Sequence, residues 1–180
     1  ALRPLLLEGI NDACAELRKF VEATGIPVTH TLLGVGAFPA SHVLNAGPLG
    51  MHGAAYANYA IHEADVVVAL GARFDDRVTG DPKQFAMQAQ FIHVDVDPSE
   101  INKNVTVQVP VAGDVKEALK EMGTRAKMGH YGPWYERIEA LKRKHPFHYK
   151  PGSGEIKPQY FIERLHEITK GGAIVATGVG

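Results

Sequence analysis

The sequence predicts an α/β fold built on a doubly wound parallel sheet. Short apolar runs alternate with segments of helical periodicity along most of the 180 residues, which is the βαβ pattern of parallel sheets. The run Asp65–Leu70 is continuously apolar after its first residue and ends at Gly71, as expected for a central strand buried on both faces. Polar loops follow the predicted strands, and ligands of such sheets bind at the carboxyl ends of the strands.

The first part of the chain predicts two strands, a helix and a long loop. Pro4–Leu7 is a short apolar strand, and Asn11 is a candidate N-cap for a helix that stops at Gly25. Val28–Thr31 is the second strand. Residues 32–50 are rich in Gly and Pro, which predicts an irregular loop, and a loop of this length is usually functional.

The middle of the chain continues the alternation. His52–Ala64 is predicted as a helix, Asp65–Leu70 as a strand with Arg73–Lys83 as its exit loop, and Phe91–Asp95 as the next strand. Asp97–Glu100 combines a capping Asp, a Pro at the first helical position and a Glu at the third, which predicts the start of a short helical turn.

One more strand and helix complete the predicted central domain. Val107–Ala112 is a strand, and Asp114 with Glu117 repeats the capping pattern before a helix that runs through Met122. We therefore expect residues 1–122 to form one doubly wound α/β domain that binds a ligand at the carboxyl ends of its strands.

The rest of the chain differs in composition. Residues 123–154 are polar and basic with several prolines, which predicts a linker with one helix at Trp134–Lys144. Lys157–Lys170 is predicted as a helix and Ala173–Thr177 as a strand, so residues 155–180 resemble the truncated start of a further domain. Because the chain begins without Met and stops just after this strand, we expect a fragment of a longer polypeptide.

Composition excludes several functional classes. The formal net charge is −1, so nucleic acid and anionic membrane are not expected partners, and no run is long enough to span a membrane. Cys14 is the only cysteine, which excludes an internal disulfide and suits a reducing compartment. Of the nine histidines only His145 and His148 lie close together, without carboxylates beside them, so no metal site is expected.

Two segments are candidates for ligand binding. In Leu49–Gly53, two glycines leave room for a ligand near the backbone, and a helix N-terminus offers N–H groups; a plain loop-to-helix turn is the alternative. Gly71–Arg77 carries two arginines suited to phosphate or carbonyl groups and two aspartates that can accept ribose or ribityl hydroxyls. A solvated salt-bridge loop is the alternative there.

Two further acidic residues end predicted strands. Asp95 is placed to accept hydrogen bonds from a ribose, with helix capping nearby as the alternative, although Asp97 already accounts for that cap. Asp114 has the same two interpretations, and capping is at least as good an explanation. We find no nucleophile elbow, phosphate-binding loop or HExxH motif, so the residues by themselves indicate a ligand-binding domain without catalytic residues.

Six motifs in order resemble the large, catalytic subunit of acetohydroxyacid synthase, also called acetolactate synthase. They are Gly25–Val28, Thr31–Ala40, Leu49–Gly53, Gly71–Gly80, His93–Pro98 and Ile101–Lys103. The likeness is dense over residues 1–122, and residues 172–180 are similar to the entry of that family's third domain. The motif GARFDDRVTG separates the family from most other thiamin-diphosphate enzymes.

The resemblance implies an activity and its cofactors. The family condenses two pyruvates, or pyruvate with 2-oxobutyrate, with loss of CO₂ in branched-chain amino-acid biosynthesis, using thiamin diphosphate and Mg²⁺, while the central domain binds a largely structural FAD. The activating glutamate and the metal motif of the family match no part of this chain, so we expect the isolated chain to be inactive. A homo-oligomer, a regulatory subunit and a bacterial cytoplasmic, plastid or mitochondrial-matrix location are also implied.

The resemblance also implies site residues. The implied FAD contacts are Thr31, Leu32, Leu33, Leu49, Gly50, Met51, His52, Gly53, Gly71, Arg73, Asp75, Arg77, Val78, Asp95, Ile101, Asp114 and Val115. Met51, Asp76 and Arg77 match positions that border the substrate channel and inhibitor site.

One departure and two alternatives stay open. The family has a glycine triplet after its first strand, whereas the turn Leu7–Asn11 has only Gly9, which leaves the close approach of FAD there undecided. The alternatives are a non-catalytic flavin- or nucleotide-binding module and the central domain of another thiamin-diphosphate enzyme that binds ADP or no nucleotide. Arg73 together with Leu49–Gly53 favours FAD over ADP.

Overall fold

The computed structural model describes residues 2–8, 13–150, 152, 154–176 and 178. The chain divides into two units, unit 1 at Ala1–Pro146 and unit 2 at Phe147–Gly180. No helix within these described ranges is both long and apolar enough to cross a lipid bilayer.

Unit 1 is built on a six-stranded sheet with the strand order β3-β2-β1-β4-β5-β6. Every neighbouring pair is parallel, which confirms the predicted doubly wound α/β fold. The strands are β1 (Pro4–Glu8), β2 (Val28–His30), β3 (Asn45–Pro48), β4 (Val66–Leu70), β5 (Gln90–Asp95) and β6 (Val109–Ala112).

Helices cover both faces of this sheet. Leu5 and Leu7 belong to the apolar layer under α2 and α5, whereas Leu6 between them belongs to the layer under α1 and α4. This alternation follows from the two-residue period of a strand, and burial on both faces explains the unbroken apolar runs. The helices of unit 1 are α1 (Cys14–Thr24), α2 (Ala55–Glu63), α3 (Asp76–Thr79), α4 (Val115–Arg125) and α5 (Gly132–Lys144).

The ends of α1 illustrate which local signals act. Gly25 adopts φ 75° and its amide donates to the Val21 carbonyl at 2.7 Å, so the predicted glycine stop is confirmed. The predicted N-cap, Asn11, lies outside the described residues. Ala13 precedes the helix and supplies no side-chain cap.

Helix α5 is anchored to the sheet of unit 1. The indole of Trp134 is buried and its Nε1 donates to the Pro4 carbonyl at 2.9 Å, and the Tyr135 hydroxyl donates to the Gly25 carbonyl at 2.5 Å. The helix predicted within residues 123–154 therefore forms and packs on unit 1. The division into domains at residues 122 and 154 stays a prediction.

The prediction of an irregular loop over residues 32–50 is wrong near the end of that range. Residues Asn45–Pro48 form strand β3, which pairs with β2 through Val28 opposite Asn45 and His30 opposite Pro48. Asn, Gly and Pro have low strand propensity, so only the neighbouring strand makes this segment extended.

The turn predicted at Asp97–Glu100 forms, and it is closed by the Glu100 amide, which donates to the Asp97 carbonyl at 3.1 Å. The predicted exit loop Arg73–Lys83, in contrast, contains the short helix α3.

The end of the chain also differs from the prediction. In unit 2, helix α6 (Pro158–Thr169) forms as predicted, but residues 173–176 of the predicted strand Ala173–Thr177 are not a strand, and Thr177 lies outside the described residues. A strand needs a hydrogen-bonded neighbour, and the described part of unit 2 contains none.

Candidate functional site

A cavity of about 450 Å³ opens at the carboxyl ends of the strands in unit 1. Its wall comes from three segments, which follow β2, β3 and β4 in the chain. The parallel strands bring these segments to one edge of the sheet, next to the point where the strand order reverses between β1 and β4. The lining residues are Thr31, Leu32, Leu33, Val35, Pro48, Leu49, Met51, His52, Gly53, Gly71, Ala72, Arg73, Phe74, Asp75, Arg77 and Val78.

Most of the sequence-predicted contacts meet at this cavity. Twelve of the seventeen predicted cofactor contacts line it. Gly50 lies between two lining residues, and Asp76 follows a third without lining the cavity itself. The twelve are Thr31, Leu32, Leu33, Leu49, Met51, His52, Gly53, Gly71, Arg73, Asp75, Arg77 and Val78.

Four lining residues were missed by sequence reasoning. Ala72 and Phe74 lie inside the Gly71–Arg77 segment and could have been included on that ground. Val35 and Pro48 lie in the stretch interpreted as an irregular loop, and Pro48 reaches the cavity because it ends β3.

The loop Leu49–Gly53 is held by its own backbone hydrogen bonds. Leu49 N donates to His30 O at 2.8 Å, and Met51 N donates to Arg77 O at 2.8 Å. Gly50 N donates to the Asn58 Oδ1 atom at 3.1 Å and Gly53 N to Gly50 O at 2.9 Å. These four N–H groups are therefore committed inside the protein, contrary to the expectation that the loop offers them to a ligand. The helix also begins later than predicted, at Ala55.

The two glycines of this loop are required by packing. A Cβ on Gly50, which has φ 106°, would lie 2.7 Å from the Arg77 carbonyl oxygen, and a Cβ on Gly53 would lie 2.4 Å from the Pro48 carbonyl oxygen. Both distances are too short for real Cβ atoms. The glycines thus allow the loop to pack against the end of β3 and against the segment after β4, rather than leaving space for a ligand as the sequence suggested.

Charged groups line the segment that follows β4. The Arg73 Nη2 atom lies 3.6 Å from the Asp75 Oδ2 atom, and both side chains are well exposed. Asp75 Oδ1 is buried and has no hydrogen-bond partner among the described residues. The Arg77 Nη1 atom approaches Met51 Sδ at 3.9 Å. The site therefore offers two guanidinium groups and one unsatisfied carboxylate oxygen.

Large apolar side chains also line the cavity. Leu32 is 82% exposed, and Leu33, Val35 and Met51 are exposed as well. Several large apolar side chains that share one cavity wall indicate a binding surface.

Phe74 ties the segment after β4 to the core. Its backbone φ is 53°, a strained value for a residue other than glycine. Its ring is buried and makes edge contacts with Phe91 at 5.5 Å and with His93 at 5.2 Å between centroids. The buried ring accounts for the strained backbone, because any relaxed conformation would withdraw it from the aromatic cluster.

Besides Gly50, four predicted contacts do not line the cavity. Asp95 is buried at the end of β5, where Oδ1 accepts from Asp97 N at 2.9 Å. Ile101 packs against the apolar layer of α2 and α5. Asp114 caps α4 by accepting from Glu117 N at 3.1 Å, which was its alternative interpretation, and Val115 is buried in the opposite layer.

One titratable group near the site has a shifted pKa. Burial lowers the pKa of His93 below its ordinary value, and the nearby Asp95 carboxylate opposes this shift.

Two expectations from the sequence concern the first turn and metal binding. Residues 9–11 of the turn Leu7–Asn11 lie outside the described residues. No group of three His, Cys, Asp or Glu side chains in the described ranges could hold a metal ion.

The comparisons with known proteins agree with this geometry. The family model of the thiamine pyrophosphate enzyme central domain matches residues 1–122. The chain belongs to this family. Residues 1–122 include every segment that lines the cavity.

Curated relatives are similar along nearly the whole chain. It is 50% identical over 186 residues to acetolactate synthase 1, chloroplastic, of Zea mays, an alignment that covers 99% of this chain and 29% of that protein. It is 47% identical over 186 residues to acetolactate synthase 1, chloroplastic, of Oryza sativa subsp. japonica, with the same coverage. Identity to acetolactate synthase, chloroplastic, of Arabidopsis thaliana is 46% over 178 residues, 96% of this chain and 27% of that protein. The chain thus spans less than a third of the length of these relatives.

Proposed function

We propose that unit 1 binds FAD in the cavity at the carboxyl ends of β2, β3 and β4, as part of an acetolactate synthase. One observation carries the proposal: the three segments bring two guanidinium groups, an unsatisfied carboxylate oxygen and several large apolar side chains together in one cavity. The volume of about 450 Å³ falls within the range of roughly 300–1,000 Å³ for small-molecule and cofactor sites.

The guanidinium groups suit the diphosphate of a dinucleotide. Arg73 and Arg77 both line the cavity, and guanidinium groups form charge-assisted, often bidentate, hydrogen bonds with phosphate oxygens. Because Arg73 pairs with Asp75 only loosely, at 3.6 Å, it is available to a phosphate with little rearrangement.

The remaining lining groups suit a flavin. Asp75 Oδ1 lacks a partner, and a hydroxyl of the ribityl chain would satisfy it. Leu32, Leu33, Val35 and Met51 offer an apolar surface for an aromatic ring system. These residues fit FAD better than ADP, because ADP has no ribityl chain or flavin to make contacts beyond its adenosine and diphosphate.

Four predicted contacts outside the cavity are also proposed to bind FAD. Asp95 ends β5 and Ile101 follows it, and Asp114 and Val115 follow β6, farther along the same sheet edge. We propose that the adenosine half of FAD extends along this edge.

The activity of the whole protein is a separate part of the proposal. Identity of about one half over nearly the whole chain to acetolactate synthases supports the condensation of two pyruvates, or of pyruvate with 2-oxobutyrate, with loss of CO₂. Thiamin diphosphate with Mg²⁺, when bound in such a protein, supplies the nucleophilic carbon for this reaction. The role of the present residues is to hold FAD, and Met51, Asp76 and Arg77 are proposed to border the substrate channel.

Location and assembly follow only from the relatives and the resemblance. The three relatives are chloroplastic, which supports a plastid among the locations left open. Association with a second copy and with a regulatory subunit stays a prediction.

A titration tests FAD binding. The purified 180-residue chain is titrated with FAD while flavin fluorescence is followed, with ADP as the competitor. We expect saturable binding of one FAD per chain and weaker binding of ADP. Absence of saturable FAD binding by a folded chain contradicts the proposal, and tighter binding of ADP favours the alternative of an ADP-binding central domain.

A chimera tests the activity. Residues 1–180 replace the aligned segment of the Zea mays acetolactate synthase 1, and acetolactate formed from pyruvate is measured beside the unmodified enzyme. We expect activity that depends on thiamin diphosphate and Mg²⁺. A folded chimera that binds FAD but forms no acetolactate argues against the proposed activity.

A further inference from the structure

His93 is a buried residue that the proposed FAD contacts do not use. It lies in β5, opposite Ala69 of β4 and Pro110 of β6, and none of its surface is exposed. Neither ring nitrogen makes a hydrogen bond of ordinary geometry with a described residue, although the Ala72 carbonyl lies near enough to raise the pKa of the ring. Buried polar groups are rarely left in this state, so an unpartnered imidazole beside a binding site calls for an explanation.

The imidazole lies beside the end of β5 and against the segment that follows β4. On one side, its Nε2 atom lies 3.7 Å from Asp95 Oδ2, two residues along the same face of β5. On the other side, its ring packs edge-on against Phe74, the residue that anchors the Arg73 and Asp75 segment. His93 is therefore placed to influence the position of Asp95 and of the segment after β4.

Acidic groups dominate the charged surroundings of His93. Asp95 on the same strand and Glu100 in the following turn both raise its pKa, as does the Ala72 carbonyl, but burial outweighs them and keeps the pKa below the ordinary value. Glu100 Oε1 pairs with Lys103 at 2.7 Å, and its Oε2 is buried without a partner in the described structure.

The other elements around the ring add little charge. In the turn after β4, Arg73 and Asp75 pair with each other, and the facing residues of β4 and β6 are Ala69 and Pro110. A proton on His93 would thus be attracted mainly by Asp95 and Glu100.

We propose that His93 is a positioning residue for flavin binding, and that its protonation draws the Asp95 carboxylate inward and weakens the binding of FAD at low pH. With neutral His93, Asp95 Oδ2 is 3.7 Å from Nε2, beyond hydrogen-bond distance, and remains available to a ribose hydroxyl. With His93 protonated, a charge-assisted hydrogen bond of about 2.8 Å forms between the same atoms. Asp95 then moves toward the core and takes with it the turn held by Asp97 N. The inference rests on the proposed function of the cavity.

The first test measures FAD affinity against pH. Flavin fluorescence titrations at pH 7.5 and pH 5.5 are compared for the unmodified chain and for His93→Gln, Asp95→Asn and His130→Gln, all checked for folding by circular dichroism. We expect weaker binding at the lower pH in the unmodified chain, by up to about tenfold, the factor for a coupling of one pKa unit. His93→Gln and Asp95→Asn should lose this change, whereas His130→Gln, at an exposed histidine, should keep it. An undiminished change in His93→Gln overturns the inference.

The second test needs no flavin. The amide of Asp97 donates to Asp95 Oδ1 at 2.9 Å, so its chemical shift in ¹⁵N NMR spectra reports on the movement of Asp95. Hydrogen bonds from Ser99 hold the pKa of Asp97 below its ordinary value, so its own carboxyl does not titrate above pH 5. We expect the shift to change below pH 6.5 in the unmodified chain and in His130→Gln, and to stay constant in both His93→Gln and Asp95→Asn.

The two tests separate the two proposals. If the chemical shift of the Asp97 amide changes with pH in a chain that binds no FAD, the His93–Asp95 coupling is supported and the proposed FAD binding is overturned. If this chemical shift does not change with pH, the coupling is overturned whether or not FAD binds. If one of the two variants fails to fold, the other still decides.

Discussion

The amide of Met51 donates a hydrogen bond to the carbonyl oxygen of Arg77 at 2.8 Å. This bond joins the loop after β3 to the segment after β4, and the Arg77 Nη1 atom approaches Met51 Sδ at 3.9 Å in the same place. Gly50 makes the approach possible, because a Cβ there would collide with the Arg77 carbonyl. The loop after β3 and the segment after β4, which both line the cavity, are therefore connected to each other by a direct hydrogen bond.

Gly50→Ala should weaken FAD binding and destabilise the fold. The new Cβ would lie 2.7 Å from the Arg77 carbonyl, and φ is 106°. Forcing a side chain into a positive-φ conformation costs roughly 1–2 kcal/mol, and the collision adds to this cost. We expect a total loss of about 3 kcal/mol in the free energy of unfolding, measured by urea denaturation, and FAD affinity at least about tenfold lower. Gly36→Ala is the matched control, since Gly36 has φ 95° but no atom within 4 Å of its Cβ position. Equal effects of both variants on FAD affinity would contradict the assigned role of the Met51–Arg77 contact.

Arg73→Gln should lower the affinity for FAD and its dependence on salt. A hydrogen bond to a charged group contributes about 1.5–3 kcal/mol, so we expect binding weaker by roughly ten- to a hundredfold in fluorescence titrations at low and high ionic strength. Arg125→Gln makes the same charge change on α4, away from the cavity, where Arg125 pairs with Glu121. Unchanged binding in Arg73→Gln would show that the guanidinium does not contact the ligand.

Trp134→Phe should destabilise unit 1 without changing the cavity. The substitution removes the donor for the buried Pro4 carbonyl, and an unsatisfied buried acceptor costs about 1–3 kcal/mol. Urea denaturation followed by circular dichroism measures this loss. Tyr59→Phe serves as the control because the Tyr59 side chain is largely exposed. If the two variants are equally stable, the indole hydrogen bond contributes nothing.

The stability of the chain should fall as the pH drops below 6.5. Burial lowers the pKa of His93 in the folded state, so between 6.5 and that lower value the unfolded chain binds more protons than the folded chain. The free energy of unfolding then decreases with falling pH, by at most about 1.4 kcal/mol per pH unit. Urea denaturation between pH 7 and pH 5 should show this decrease in the unmodified chain and in His130→Gln, but a smaller decrease in His93→Phe. An equal decrease in His93→Phe would assign the effect to other groups.

Substitutions at Asp114 separate capping from cofactor binding. Its carboxylate accepts from Glu117 N and caps α4. Asp114→Ala should therefore lower the free energy of unfolding by about 1 kcal/mol, whereas Asp114→Asn should retain most of the cap. FAD affinity of the stable Asn variant decides the second role: an unchanged affinity assigns the carboxylate to the cap alone, and a loss supports contact with the cofactor.

The order of the elements was predictable because it depends on local pattern. Asp65–Leu70 and Phe91–Asp95 were predicted within one residue of β4 and β5, since strands buried on both faces leave continuous apolar runs. Gly25 ended α1 as predicted. In contrast, Asn45–Pro48 carries no strand pattern, and its extended conformation comes from pairing with β2.

The segments that line the candidate site could be predicted, but the contacts made by their glycines and amides could not. The motifs named Leu49–Gly53 and Gly71–Arg77, and both segments line one cavity. Their glycines and amides, however, serve contacts between loops, and a sequence does not show which of its own atoms will fill the space beside a glycine.

By itself, the sequence determined the α/β class, the family and the residue types available for binding, because periodicity and motifs are properties of neighbouring residues. Only the tertiary structure decided which groups meet. The Met51–Arg77 contact and the Trp134–Pro4 hydrogen bond join residues far apart in the chain and depend on strand order and register. His93 and Asp95 lie two residues apart on one face of β5, so their approach is local, but the burial that lowers the pKa of His93 is imposed by neighbouring elements.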